Sequence, residues 1–225
     1  MSGTGAKVLG VVAGVAVAGI LIGFYISGYL VGNTAPFRPA AQGSTASPTV
    51  ELTLQTVAAV GSNLAPHPDW VSYLVRNNAG QWERSTVYTL PAHATVRVTL
   101  YNFDGASGLR NPLLGQPTGL VGPELVDGKP LVVMPPDQPS HTFAVPALGV
   151  LVPIAPVGDD AKNPCDVAAP CPMSTAHRTM TFTFRTGKPG HYRWQCFVPC
   201  AAGFIYGFGG PMQTIGYMDG FLNVV

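Results

Sequence analysis

This sequence has little charge. Of its 225 residues only 10% are Asp, Glu, Lys or Arg, against roughly 25% in an average soluble domain. The twelve Lys and Arg are scattered, so no basic stripe faces nucleic acid and no polybasic patch grips anionic lipid. Hydrolytic signatures are missing too: the chain has no G-x-S-x-G elbow and no H-E-x-x-H pair. The glycines at Gly207, Gly209 and Gly210 fall between two strand candidates, not ahead of a helix, which removes the usual phosphate site. No internal repeat is visible. Cysteine is confined to Cys165, Cys171, Cys196 and Cys200, and no histidine follows His191.

What is abundant is apolar: 47% of the residues are hydrophobic. Residues 8–32 carry no charge and span about 37 Å as a helix, enough to cross a bilayer. A signal peptide has an apolar stretch of only ~7–15 residues, and no clear A-x-A site follows, so an uncleaved single-span anchor is expected. Lys7 and Arg38 flank it nearly evenly, so charge hardly sets its orientation. Gly10/Gly14, Gly19/Gly23 and Gly28/Gly32 form three G-x-x-x-G pairs. Such pairs let a neighbouring helix approach closely, although glycine is common in membrane helices generally. The expected layout is a short cytoplasmic tail at 1–7, the anchor at 8–32, a flexible linker at 33–49 and one domain at 50–225.

In that domain the hydrophobic period is two. Val50, Leu52 and Leu54 alternate with Glu51, Thr53 and Gln55; Val96, Val98 and Leu100 with Thr95, Arg97 and Thr99; Met180, Phe182 and Phe184 with Thr181, Thr183 and Arg185. These are half-buried strands, read as antiparallel. Further strand candidates lie at 70–75, 85–90, 142–145, 191–196 and 221–225. With 27 glycines and 22 prolines, and no convincing soluble helix, the pattern predicts a mainly β sandwich or barrel. Two loops interrupt it, at 105–139 and 159–177, and loops of this length are usually functional.

The chemistry concentrates in SHTFAVPALG at 140–149 and GHYRWQCFVPCAAGF at 190–204. Together, in this order and with strands between them, they resemble the copper-binding domain of cytochrome c oxidase subunit II. The resemblance covers roughly 85–225, interrupted at 105–139, and implies an antiparallel cupredoxin-type sandwich behind one membrane helix. It also implies metal ligands. His141 matches the first histidine, Cys196 and Cys200 the two bridging cysteines, and Val198 the residue that offers a backbone carbonyl. The pattern then breaks: Phe204 stands at the second histidine and Gly207 at the methionine, with Met212 the nearest thioether. The dinuclear centre is therefore incomplete, and one copper is expected rather than two.

Two thiolates, a thioether and one imidazole favour Cu(I). Three functions fit this set: a subunit-II-like electron-transfer component of a respiratory complex, a copper-holding or delivery protein, or a metal-free accessory subunit in which Cys196 and Cys200 are a loop disulfide. If it transfers electrons it need not be an enzyme by itself, since a partner would do the oxygen or quinol chemistry. The expected partners are the membrane, other complex subunits along the anchor, and an electron-donor protein. The expected location is the prokaryotic cytoplasmic membrane, with the C-terminal domain outside. Cys165 and Cys171 read as a small-loop disulfide or a mobile metal-binding pair. His191 falls on the strand face opposite Cys196 and is expected in solvent. His177 and Met173 are candidates to fold over the site, and His67 and His93 read as surface residues.

Overall fold

The computed structural model describes residues 3–25, 35–57, 70–161, 169–200 and 210–225. It opens with one α-helix, α1 (Gly3–Tyr25), apolar and long enough to cross a membrane, none of which is buried against the rest of the chain. A Cβ added at Gly10, Gly14, Gly19 or Gly23 would meet nothing within 4 Å. Residues 26–32 of the expected anchor, with Gly28 and Gly32, lie outside the described residues.

Thirteen strands follow among the described residues: β1 (Ala41–Ser44), β2 (Ser47–Val57), β3 (Ser72–Arg76), β4 (Trp82–Glu83), β5 (Val87–Leu90), β6 (Thr95–Asn102) and β7 (Glu124–Val126), then β8 (Lys129–Leu131), β9 (His141–Val145), β10 (Val150–Ile154), β11 (Arg178–Arg185), β12 (Gly190–Gln195) and β13 (Asp219–Val224). One sheet runs β4-β3-β2-β6-β11-β7-β8 with β1 paired to β2, and the other runs β10-β9-β12-β13-β5. Inward residues of both sheets, among them Leu52, Leu54, Val98, Phe182, Phe143, Trp194 and Leu222, form a common core. Each buried Val, Leu or Phe in it contributes roughly 1.5–3 kcal/mol over exposure. The mainly β, two-layer architecture is thus as the alternation predicts.

Strand direction is not. β2 lies parallel to β6, pairing Val50, Leu52 and Leu54 with Val96, Val98 and Leu100. β13 lies parallel to β5. The sheets are therefore mixed rather than antiparallel. Alternation reports which face of a strand is buried, and that is the same for either direction.

The segment expected as a flexible linker differs as well. Phe37 is 7% exposed in the core, and bonds to β5 through Phe37 N–H to the Val87 carbonyl and Thr89 N–H to the Phe37 carbonyl, both 2.8 Å. β1 and β2 form a hairpin over residues 41–50. Small polar residues hide this hairpin because β1 is exposed on every side chain and carries no alternation. The long loop at 105–139 holds the β7–β8 hairpin and a 3-10 turn at Pro112–Gly115.

Candidate metal centre

Three core elements converge on one end of the sandwich. His141 opens β9 opposite Ile154 of β10, and Ser140 N–H bonds to the Ile154 carbonyl at 2.9 Å. Cys196 directly follows β12, its N–H bonded to the Met218 carbonyl at 2.9 Å. Trp194, two residues earlier on the same face, is fully buried and stacks on Phe143 and Tyr88 at 5.0 and 5.9 Å. Gly220 sits opposite Trp194, where any Cβ would collide with the indole and the Thr86 carbonyl. The indole N–H donates to that carbonyl at 2.9 Å. This packing fixes the strand end from which the Cys196 loop departs.

The structure brings His141, Cys196 and Cys200 together, with one donor atom from each lying within 4.8 Å of the others. His141 Nδ1 is 3.0 Å from Cys200 Sγ, and the two sulfurs are 3.3 Å apart. Both cysteines are free and buried. The Val198 carbonyl accepts from both thiols, at 3.4 Å from Cys196 and 3.1 Å from Cys200. Thr142 N–H lies 3.4 Å from Cys196 Sγ, and Phe197 N–H donates to Thr142 Oγ1 at 2.7 Å, tying the loop to β9.

Met212 packs against the core cluster that contains Cys196 and Cys200. It lies in a 3-10 turn at Gly210–Gln213, where its carbonyl accepts from Gln195 Nε2 at 2.6 Å. It lines a separate apolar hollow with Leu113, Leu151 and Phe197. His191 is exposed, with Nδ1 2.8 Å from Asn223 Oδ1. His177 packs against the Tyr101 and Phe103 rings at 5.4 and 5.3 Å rather than over the sulfurs, and Met173 is 41% exposed. His93 occupies a turn with φ of 53°. Cys171 is buried and disulfide-bonded. Cys165, Phe204, Gly207 and His67 lie outside the described residues.

Sequence reading missed Asp104. Its Oδ2 lies 2.7 Å from His141 Nε2, leaving Nδ1 turned toward the sulfurs. Asn102, fully buried at the end of β6, donates to the carbonyls of Asp104 and Ala155 at 2.9 and 2.8 Å and to Ser140 Oγ at 3.1 Å. One amide thus fixes the acid, the histidine's neighbour and the residue that follows β10. No spacing motif joins Asp104 to His141. The available signal was an acid placed directly after an alternating strand, in the phrase NFDG.

The charges are mutually supporting. Burial opposes a charged His141, but the Asp104 carboxylate and the Cys196 sulfur outweigh it and push its pKa up to about 9. Burial likewise opposes a thiolate at Cys196, yet the Cys200 thiol, His141 and Thr142 N–H bring its pKa well below the ordinary value. Cys200 moves up, through its bond to Cys196 and then burial. Of the two sulfurs, Cys196 is therefore the more readily deprotonated. Metal ligation needs deprotonated thiols and a neutral imidazole nitrogen, and soft sulfur with one imidazole suits copper. The donors present fit such an ion.

No protein-family model matches the chain, and no curated protein matches it. Among solved structures the chain is similar to the copper protein rusticyanin, at 16% identity and a TM-score of 0.31 over 83% of this chain and 88% of that one. It is similar also to reduced rusticyanin, at 19% identity and a TM-score of 0.30 over 83% and 89%. For rusticyanin from Thiobacillus ferrooxidans the identity is 17% and the TM-score 0.30, over 83% and 87%.

Proposed function

We propose that this chain is a membrane-anchored copper protein whose outer domain carries single electrons, as a subunit-II-like component of a respiratory complex. One observation carries the reading: His141 Nδ1 and two free thiols converge in a buried pocket whose remaining polar atoms are already committed to holding them. His141, Cys196 and Cys200 would hold the ion, with the Val198 carbonyl beside both sulfurs. A bound copper supplies a one-electron couple. The chain supplies a rigid, largely dry setting, which keeps the change in surroundings on electron transfer small. Asp104 fixes the imidazole's orientation and tautomer from behind, the usual task of a carboxylate on a metal-bound histidine.

The apolar helix supports a membrane anchor, and in this reading the membrane is the prokaryotic cytoplasmic one with the β domain outside. Its glycine faces support contact with helices of other subunits. Replacing Gly14 and Gly23 by Leu is expected to loosen that assembly while leaving the outer domain folded, read by co-purification from detergent. Two thiolates to one imidazole favour the cuprous ion, and this supports a second reading, copper holding and delivery. Reversible one-electron cycling of the copper-loaded full chain, followed by voltammetry, selects electron transfer. Tight Cu(I) binding with no reversible couple selects delivery. A chain that takes up no copper when reduced and copper-replete leaves the role of a metal-free accessory subunit.

A further inference from the structure

The chain enters the β domain at the end that carries the sulfur site. Only residues 26–34 separate α1 from Ala35, whose carbonyl accepts from Ser85 Oγ at 2.7 Å. Phe37 then pairs parallel to Tyr88, so residues 35–37 extend the second sheet beyond β5. β5 sets Val87 opposite Phe221 of β13, and β13 sets Asp219 opposite Gln195 of β12. Ser85 therefore stands level with Asp219 and with Gln195, the residue before Cys196. Three strand spacings of about 4.8 Å separate β12 from residues 35–37, about 14 Å in all. From Ala35 the chain runs away from the site, past Thr89, to the β1–β2 hairpin at the opposite end. β2 joins the two ends: Thr49 pairs with β1, while Thr56 meets Asn102, which holds Asp104. Its 11 residues span about 37 Å.

The length of chain on the membrane side is short. The uncharged run ends at Gly32, three residue steps before Ala35, which reach about 10 Å fully extended. Counted even from Tyr25, the end of α1, ten steps reach about 34 Å, less than the length of the sandwich. Resting on the reading of residues 8–32 as a membrane anchor, we infer that the domain lies with its His141–Cys200 end against the lipid headgroups of the bilayer that holds α1. The exposed side chains at that end suit such a surface. Leu109, which lines the same hollow as His141 and Cys200, is 46% exposed, and Phe197, next to Cys196, is 38% exposed. Arg110, beside Leu109, is exposed as well. Apolar and aromatic side chains with a neighbouring cation settle at the headgroup level. At the opposite end β1 exposes only the small polar run AQGS. Whatever exchanges electrons or copper with the site then does so at the membrane plane.

The test uses the full chain in phosphatidylcholine vesicles, with a photoreactive benzophenone amino acid placed singly at four exposed positions. Leu109 and Arg110 report on the site's end, and Gln42 and Lys188 on the opposite end. Two positions at each end guard against one label disturbing its own surroundings. After illumination, mass spectrometry of the chain reads covalent lipid adducts. Adducts are expected at Leu109 and Arg110, with none above background at Gln42 and Lys188. Equal adducts at the two ends, or adducts only at Gln42 and Lys188, overturn the inference. So does a chain that floats with the vesicles and gives no adduct at any of the four. Flotation after an alkaline carbonate wash checks the anchor separately. A chain stripped from the vesicles by that wash overturns the anchor reading and this inference with it.

Discussion

His141 and Glu124 are two buried ionisable side chains, both with pKa values raised to about 9, for opposite reasons. His141 is raised against the effect of burial by Asp104 and the Cys196 sulfur. Glu124, on β7, is raised by burial alone, and neither of its carboxyl oxygens has a hydrogen-bond partner among the described residues. Pairing shows that Glu124 falls one step beyond Leu125, which meets Thr181 of β11, and on the same inward face as Val126, which meets Met180. At one place the chain surrounds an ionisable group with partners. At the other it buries one with no partner among the described residues, on the strand next to the sheet edge. A buried charge set with partners is a candidate for function, whereas a lone buried acid weakens the fold.

Substitutions separate the two. The largest effect is expected from Cys200→Ser, which removes the thiol shared by His141, Cys196 and the Val198 carbonyl. Stoichiometric copper should be lost, read by metal analysis of the purified chain. Asp104→Asn should leave copper bound but about 10–100-fold more weakly, read by competition with a Cu(I) chelator. Copper affinity should also fall as pH drops, because the imidazole and thiols then take up the protons that ligation must displace.

Glu124 should respond the other way. Its folded pKa lies above its unfolded value, so the folded state binds the extra proton. Stability is therefore full below the unfolded pKa and falls as pH rises from about 4.5 through about 9. Glu124→Gln should remove that slope and raise stability by about 1–3 kcal/mol at the alkaline end, measured by denaturant unfolding. A variant less stable than the parent at pH 8 would mean that the carboxyl has a partner after all. The smallest effect is expected from His191→Ala. Exposed and bonded to Asn223, it should change copper affinity by less than the error of the chelator competition.

The same contrast explains what could be read from the sequence. Strands β2, β6 and β11 were legible because each buries one face and writes its alternation into the chain. Short strands were not. β7 and β8 have three residues each, and β1 is exposed throughout. The convergence of His141 with Cys196 and Cys200 was anticipated from their two phrases, not from any period. The parallel pairing of β2 with β6 and the approach of Asp104 to His141 are long-range geometry with no local pattern to carry them. Met212 was proposed as the thioether nearest to Gly207, where the resemblance expects a methionine. A 3-10 turn and the Gln195 contact direct it to a different hollow.

The central claim is that His141, Cys196 and Cys200 hold a single copper ion. Its most direct test is the copper content of the full chain, purified reduced and copper-replete, with the resonance spectrum of the oxidised form. The account predicts one copper per chain with the hyperfine pattern of a single copper nucleus, abolished by Cys200→Ser. Two coppers per chain, or none with Cys196 and Cys200 disulfide-linked, would contradict it.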